Sequence, residues 1–111
     1  MTGVELIAAE RRRQIEEEGW TAEHDDRHKH GELAAAAACY AVAETPVYTL
    51  RSYSVGGDPR LPQYKLENVW PVGWSPGAWK PKDRLRNLIR AGALIAAEID
   101  RLQRLEGETE S

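Results

Sequence analysis

The chain has 111 residues, with 15 lysines and arginines against 18 aspartates and glutamates, and a net charge of −3. That length supports one hydrophobic core at most, and so balanced a charge gives no electrostatic grip on duplex nucleic acid. Apolar residues make up 41%, but fifteen of them are alanine; an alanine methyl contributes little on burial, so a lone monomer is thinly stabilised and a homo-oligomer is expected.

The opening MTGVELIAAERRR is charged too early for a secretory signal. Val4, Ile7, Ala8 and Ile15 recur at helical spacing between glutamates and arginines, which predicts an amphipathic helix over 3–18, ended by Gly19. Trp20 follows, where an aromatic ring can fold back on the last turn.

Residues 21–30 read as a polar connection that can turn helical at its end, and 23–33, EHDDRHKHGEL, concentrate the ionisable groups. One reading is a loop in which Asp25 or Asp26 caps the next helix. The same residues offer a Mg²⁺ set of Asp25, Asp26 and Glu32, because hard cations prefer carboxylates. His24 and His28, four apart around Asp25, echo the H-E-x-x-H zinc pattern.

A second helix is predicted over 31–44 and is nearly all alanine, so it belongs at the centre of a bundle. Its apolar run, 33–43, is too short to span a bilayer, which together with the charged start predicts a cytoplasmic protein without a membrane partner. Cys39, the only cysteine, reads as a small buried hydrophobe.

Residues 45–80 differ in kind. Five of the six prolines fall here, with Pro81 the sixth, together with three of the four tryptophans and three of the four tyrosines. A connection this long without helical periodicity is usually functional, and its rings argue for an ordered flap. TPVYTLRSYSV can form a short hairpin.

The third predicted helix spans 82–106. Pro81 and Asp83 suit its N-terminal end. Leu85, Leu88, Gly92, Ile95, Ile99 and Leu102 then alternate at spacings of three and four, a heptad-like seam in which Gly92 marks a close crossing. Gly107 is its expected stop. The fold class is therefore mainly α: a three-helix bundle with an ordered flap, in an oligomer.

Binding groups gather at the start of this helix. Lys80, Lys82, Arg86 and Arg90 place cations near exposed backbone N–H groups, a setting that suits phosphate. Trp70, Trp74 and Trp79 supply plates on which a nucleobase could stack, worth roughly 1–3 kcal/mol per base. Rings and arginines are equally the currency of protein interfaces, so a plain protein–protein interaction module stays open.

IAAERRRQIEEEGWTAEHDDRHKHGELAAAAACYA and WKPKDRLRNLIRAGALIAAEIDRL resemble small phage and prophage helical proteins. More distantly, the order A-x-E-R-x-R-Q, G-W, G-E-L and I-D-R-L is similar to the MazG-like class, all-α nucleoside triphosphate pyrophosphohydrolases. That resemblance implies helical oligomers that hold Mg²⁺ on an E-E-x-x-E helix and an E-x-x-D helix. Glu32 stands for the last glutamate of the first motif, with His28 and Lys29 where paired glutamates would precede it. Asp83 and Asn87 stand near the second motif, and E-x-x-D itself is missing. Glu32 and Asp83 would carry catalysis in a divergent pyrophosphohydrolase. The departures favour holding a nucleotide, in a pocket between subunits, over cutting it, with Asn87 beside the cationic residues. By the same resemblance the setting is an infected or lysogenic bacterial cell, where such a binder would act against host defence by sequestering a nucleotide immune signal.

Overall fold

The computed structural model describes residues 1–43 and 69–110. The expected hairpin in TPVYTLRSYSV, and most of the flap at 45–80, lie outside the described residues. Those described are mainly helical and contain no strand: α1 (Gly3–Glu16), α2 (Ala22–Asp26), α3 (Glu32–Val42), a 3₁₀ turn (Pro76–Ala78) and α4 (Arg84–Glu110).

Helix α1 begins where its side chains can satisfy its first N–H groups. The Thr2 hydroxyl accepts from Glu5 N–H at 3.2 Å, and the Glu5 carboxylate accepts from Thr2 N–H at 3.0 Å. This reciprocal cap is worth about 1 kcal/mol. It also holds the Glu5 carboxyl below its usual range, first through the Thr2 backbone bond. At the other end Gly19 takes φ +74°, a left-handed turn that costs a glycine little, and Trp20 N–H returns to the Gln14 carbonyl at 2.9 Å. Trp20 thereby packs onto the core, as its position after the glycine predicts.

The connection at 21–30 is helical at its beginning. Thr21 caps the single turn of α2 by accepting from His24 N–H at 3.3 Å. Neither aspartate caps the next helix: α3 starts from Gly31 at φ +81° with no side-chain cap, because Asp25 and Asp26 are drawn into ion pairs described below.

Leu33, Ala36, Ala37 and Tyr40 of α3 meet Ala91, Leu94 and Ala97 of α4 to form the core, with Leu33 and Leu94 completely buried. Burial of each contributes roughly 1.5–3 kcal/mol. The centre of the assembly is α4, not the alanine helix, since α1, α2 and α3 all pack against α4. Ala34 and Ala38 face solvent: alanine permits close approach on any face but is too small to demand burial on all of them. Helix α4 also runs through Gly107 to Glu110, past the stop that glycine predicts, because a glycine inside a helix costs only about 1 kcal/mol.

Helix α1 crosses α4 closely at Gly92. A β-carbon there would stand 2.5 Å from Ile7 Cδ1, so only glycine lets the two backbones come this near. Yet α1 buries Glu10 and Gln14 while leaving Val4 and Ile15 exposed. The large aliphatic residues of the α4 seam are uncovered as well, with Leu85 at 62% and Ile99 at 50% exposure. Within the described residues, no helix is long and apolar enough to cross a membrane.

Candidate functional site

The connection between α1 and α3 sets a row of rings. Trp20 lies parallel to His24 at 5.5 Å between centroids, with an interplanar angle of 8°. His24 meets His28 edge-on at 5.0 Å, and His28 meets Trp74 at 5.1 Å. The row continues from Trp74 to Trp70 at 5.6 Å, from Trp70 to Trp79 at 5.2 Å, and from Trp79 to Tyr40 at 4.7 Å. Seven rings from three separate stretches of chain thus form one continuous surface. These spacings and tilts are the favourable ones for aromatic pairs.

Six of these rings, all but Trp79, wall an open cavity of about 280 Å³ whose floor includes Leu94 and Ala78. Trp79 stands behind them against Tyr40 and Trp70. The cavity's polar groups are few. Trp70 Nε1 is buried and has no acceptor among the described residues. His24 Nδ1 is 3.0 Å from Asp25 Oδ1, and His28 Nδ1 is 3.3 Å from Glu32 Oε2. A carboxylate can only accept, so each imidazole carries a proton on Nδ1, and in the neutral ring Nε2 is left as an acceptor.

The carboxylates behind the rings are already engaged. Asp25, fully buried, accepts from Arg11 Nη2 at 2.7 Å. Asp26 pairs with Arg104 at 2.8 Å, and that bond is the main reason its carboxyl lies below the usual range. Glu32 also accepts from His30 N–H at 2.6 Å. Burial alone would raise its carboxyl, but the backbone bonds and His28 outweigh burial and hold it low. The metal set anticipated at 23–32 is therefore dispersed: Asp25, Asp26 and Glu32 each have a different protein partner. Among the described residues no three His, Cys, Asp or Glu side chains gather to hold a metal ion. His24 and His28 do share a side, as their four-residue spacing implies, but there they wall the cavity.

The cations at the start of α4 divide. Arg90 Nη1 donates to the Lys80 carbonyl at 2.9 Å, and its guanidinium lies 5.2 Å from the centre of the Tyr40 ring. Tyr40 in turn donates to the Ala78 carbonyl and accepts from Lys80 N–H, both at 3.1 Å. Arg90 and Lys80 are thus tied to a ring that walls the cavity. Arg86 is turned the other way, with Nη2 donating to Glu10 at 2.6 Å. Lys82 is exposed. Asn87 is buried and serves the backbone, accepting from Lys82 N–H at 2.7 Å and donating to the Lys82 carbonyl at 2.9 Å. Asp83 accepts from Arg86 N–H at 3.2 Å and caps α4, as its place in the sequence predicts. Of the carboxylates assigned to hydrolysis, Asp83 thus caps α4, while Glu32 holds His28 and the His30 N–H just ahead of α3.

Sequence reasoning missed Glu10, the residue on which one side of the molecule turns. Arg13 grips it with two bonds of 2.8 and 2.9 Å, Arg86 adds a third, and Arg90 Nε lies 3.9 Å away. Burial would raise the Glu10 carboxyl, but the Arg13 bonds and the charges of Arg86, Arg13 and Arg90 outweigh it and keep it low. The three-residue spacing of Glu10 and Arg13 was a visible signal; the arrival of Arg86 was not. Tyr40 was missed too, although a lone large ring in a run of alanines is itself a signal.

Compared with protein-family models, with curated proteins and with solved structures, the chain finds no match.

Proposed function

We propose that this protein binds a small nucleotide, with the base held among the rings of Trp20, His24, His28, Tyr40, Trp70 and Trp74. The cavity they wall is the observation that carries this reading. Its volume, about 280 Å³, lies at the small end of ligand pockets and suits a base better than a whole nucleotide. A planar base gains stacking on the tryptophans, and its edge can donate to an imidazole Nε2. The phosphates then extend past Tyr40 toward Arg90 and Lys80. Arg86, engaged by Glu10, takes no part. In a phage setting, binding without cleavage would withdraw a nucleotide signal from the host's defence.

All four tryptophans belong to the ring row, so their emission reports occupancy directly. Titration with nucleosides, mononucleotides and cyclic dinucleotides is expected to quench it, and mononucleotides are expected to bind more tightly than their nucleosides. Trp74→Ala should weaken binding roughly 5- to 100-fold, the equivalent of one lost stacking partner. If no member of the panel alters the emission or releases heat at millimolar concentration, the proposal is wrong. Tighter binding of tetramethylammonium than of any nucleotide would reassign the cavity to organic cations, which aromatic cages also hold.

A further inference from the structure

Helix α4 is apolar on two sides, and the larger side chains are on the outside. Its inner face presents Ala91, Ala93, Leu94 and Ala97, all buried. Its outer face presents Leu85, Leu88, Ile95, Ile99 and Leu102, each 41–62% exposed. The outer residues follow a strict alternation of three and four with Gly92 in register, which is the repeat of a helix that meets another helix along its length.

Ile7 of α1 fills the gap at Gly92. The five half-exposed leucines and isoleucines of the seam make one apolar stripe along α4 instead of single residues scattered over the surface.

We infer that this face is covered by a second copy of the chain, with the two α4 helices antiparallel about a twofold axis near Gly92 and Ile95. The charges beside the seam select that direction. Lys82 and Arg84 stand at its N-terminal end, and Glu106 falls on the next seam position after Leu102; all three are exposed. Antiparallel pairing brings Lys82 and Arg84 to the partner's Glu106, whereas parallel pairing brings like charges together at both ends. It also sets Leu85 opposite the partner's Leu102 and Leu88 opposite the partner's Ile99, the self-complementary pattern that a twofold axis requires. The partner's Ile95 then lands on Gly92 and Ile7. This inference is independent of the nucleotide reading, because the ring row uses other faces of the chain.

Sedimentation equilibrium is expected to give twice the chain mass of 12.5 kDa at micromolar concentration. Ile95→Glu combined with Ile99→Glu should raise the dissociation constant at least 100-fold while far-UV dichroism stays helical, since both side chains are already half exposed. Lys82→Glu should weaken the dimer several-fold, and adding Glu106→Lys should restore it. A wild-type monomer at 100 µM, or a dimer unaffected by the paired glutamates, overturns the inference and leaves the face to a different protein. Should the paired variant fail to fold, the Lys82→Glu and Glu106→Lys exchange still decides, because both positions are exposed. No weakening by the first, or no recovery with the second, refutes the antiparallel pairing.

Discussion

The two flanks of α4 are stabilised by different physics. Toward α1 the contact is ionic: a buried carboxylate, Glu10, held by Arg13 and Arg86, with buried Gln14 beside it. Toward α3 it is alanine on alanine around Leu33 and Leu94, bordered by the ring row. The ionic flank is directional, since it holds only while every charge keeps its partner. The other flank tolerates small shifts, because rings make favourable contacts over a range of tilts. The cavity walled by the rings lies beside this second flank.

The largest expected effect tests the apolar flank. Leu94→Ala removes a completely buried side chain from the floor of the cavity and should cost about 4 kcal/mol in urea unfolding. Glu10→Gln comes next, at about 3 kcal/mol. It keeps the volume but takes the carboxylate from Arg86 and one of two hydrogen-bonded ones from Arg13, which keeps Glu18 at 2.9 Å; that second partner and the partial exposure of both arginines hold the loss below that of a wholly buried pair.

Acid should separate that loss from simple packing. The Glu10 carboxyl is lower in the folded chain than in the unfolded one, so its contribution is fully present above the unfolded value of about 4.3 and disappears as pH falls through the lower folded value. Wild-type stability should therefore drop as pH falls below the unfolded value and through the lower folded one. Glu10→Gln should flatten the slope without abolishing it, because Glu32 and Asp26 are depressed too. An unchanged slope would mean that Glu10 is not the titrating group.

On the ring side, Tyr40→Phe removes one hydroxyl that serves the Ala78 carbonyl and Lys80 N–H. The expected cost is about 1–2 kcal/mol, with the cavity walls kept. Thr2→Ala, which opens the cap of α1, should cost about 1 kcal/mol and leave tryptophan emission unchanged.

Much of this architecture is legible in the chain itself. Gly19 ends α1, Asp83 caps α4, Gly92 marks a close crossing, and Trp70 and Trp74 do come together. The histidines illustrate where legibility stops. Their spacing of four correctly places His24 and His28 on one side, but spacing alone cannot tell a metal ligand from a cavity wall. That depends on which side chains arrive from elsewhere, here Trp20 on one histidine and Trp74 on the other.

What the sequence determined by itself was local: which stretches are helical, where they start, and that α4 carries a heptad-like apolar seam, because propensity, capping and periodicity act within a few residues. Only the tertiary structure decided that this seam stays outside while Ala91, Leu94 and Ala97 turn inward, that α1 buries Glu10, and that rings from distant segments share a cavity. Arg86 reaches Glu10 across 76 positions of chain. No local pattern encodes such a meeting, because the partner of a buried charge is set by how whole helices pack.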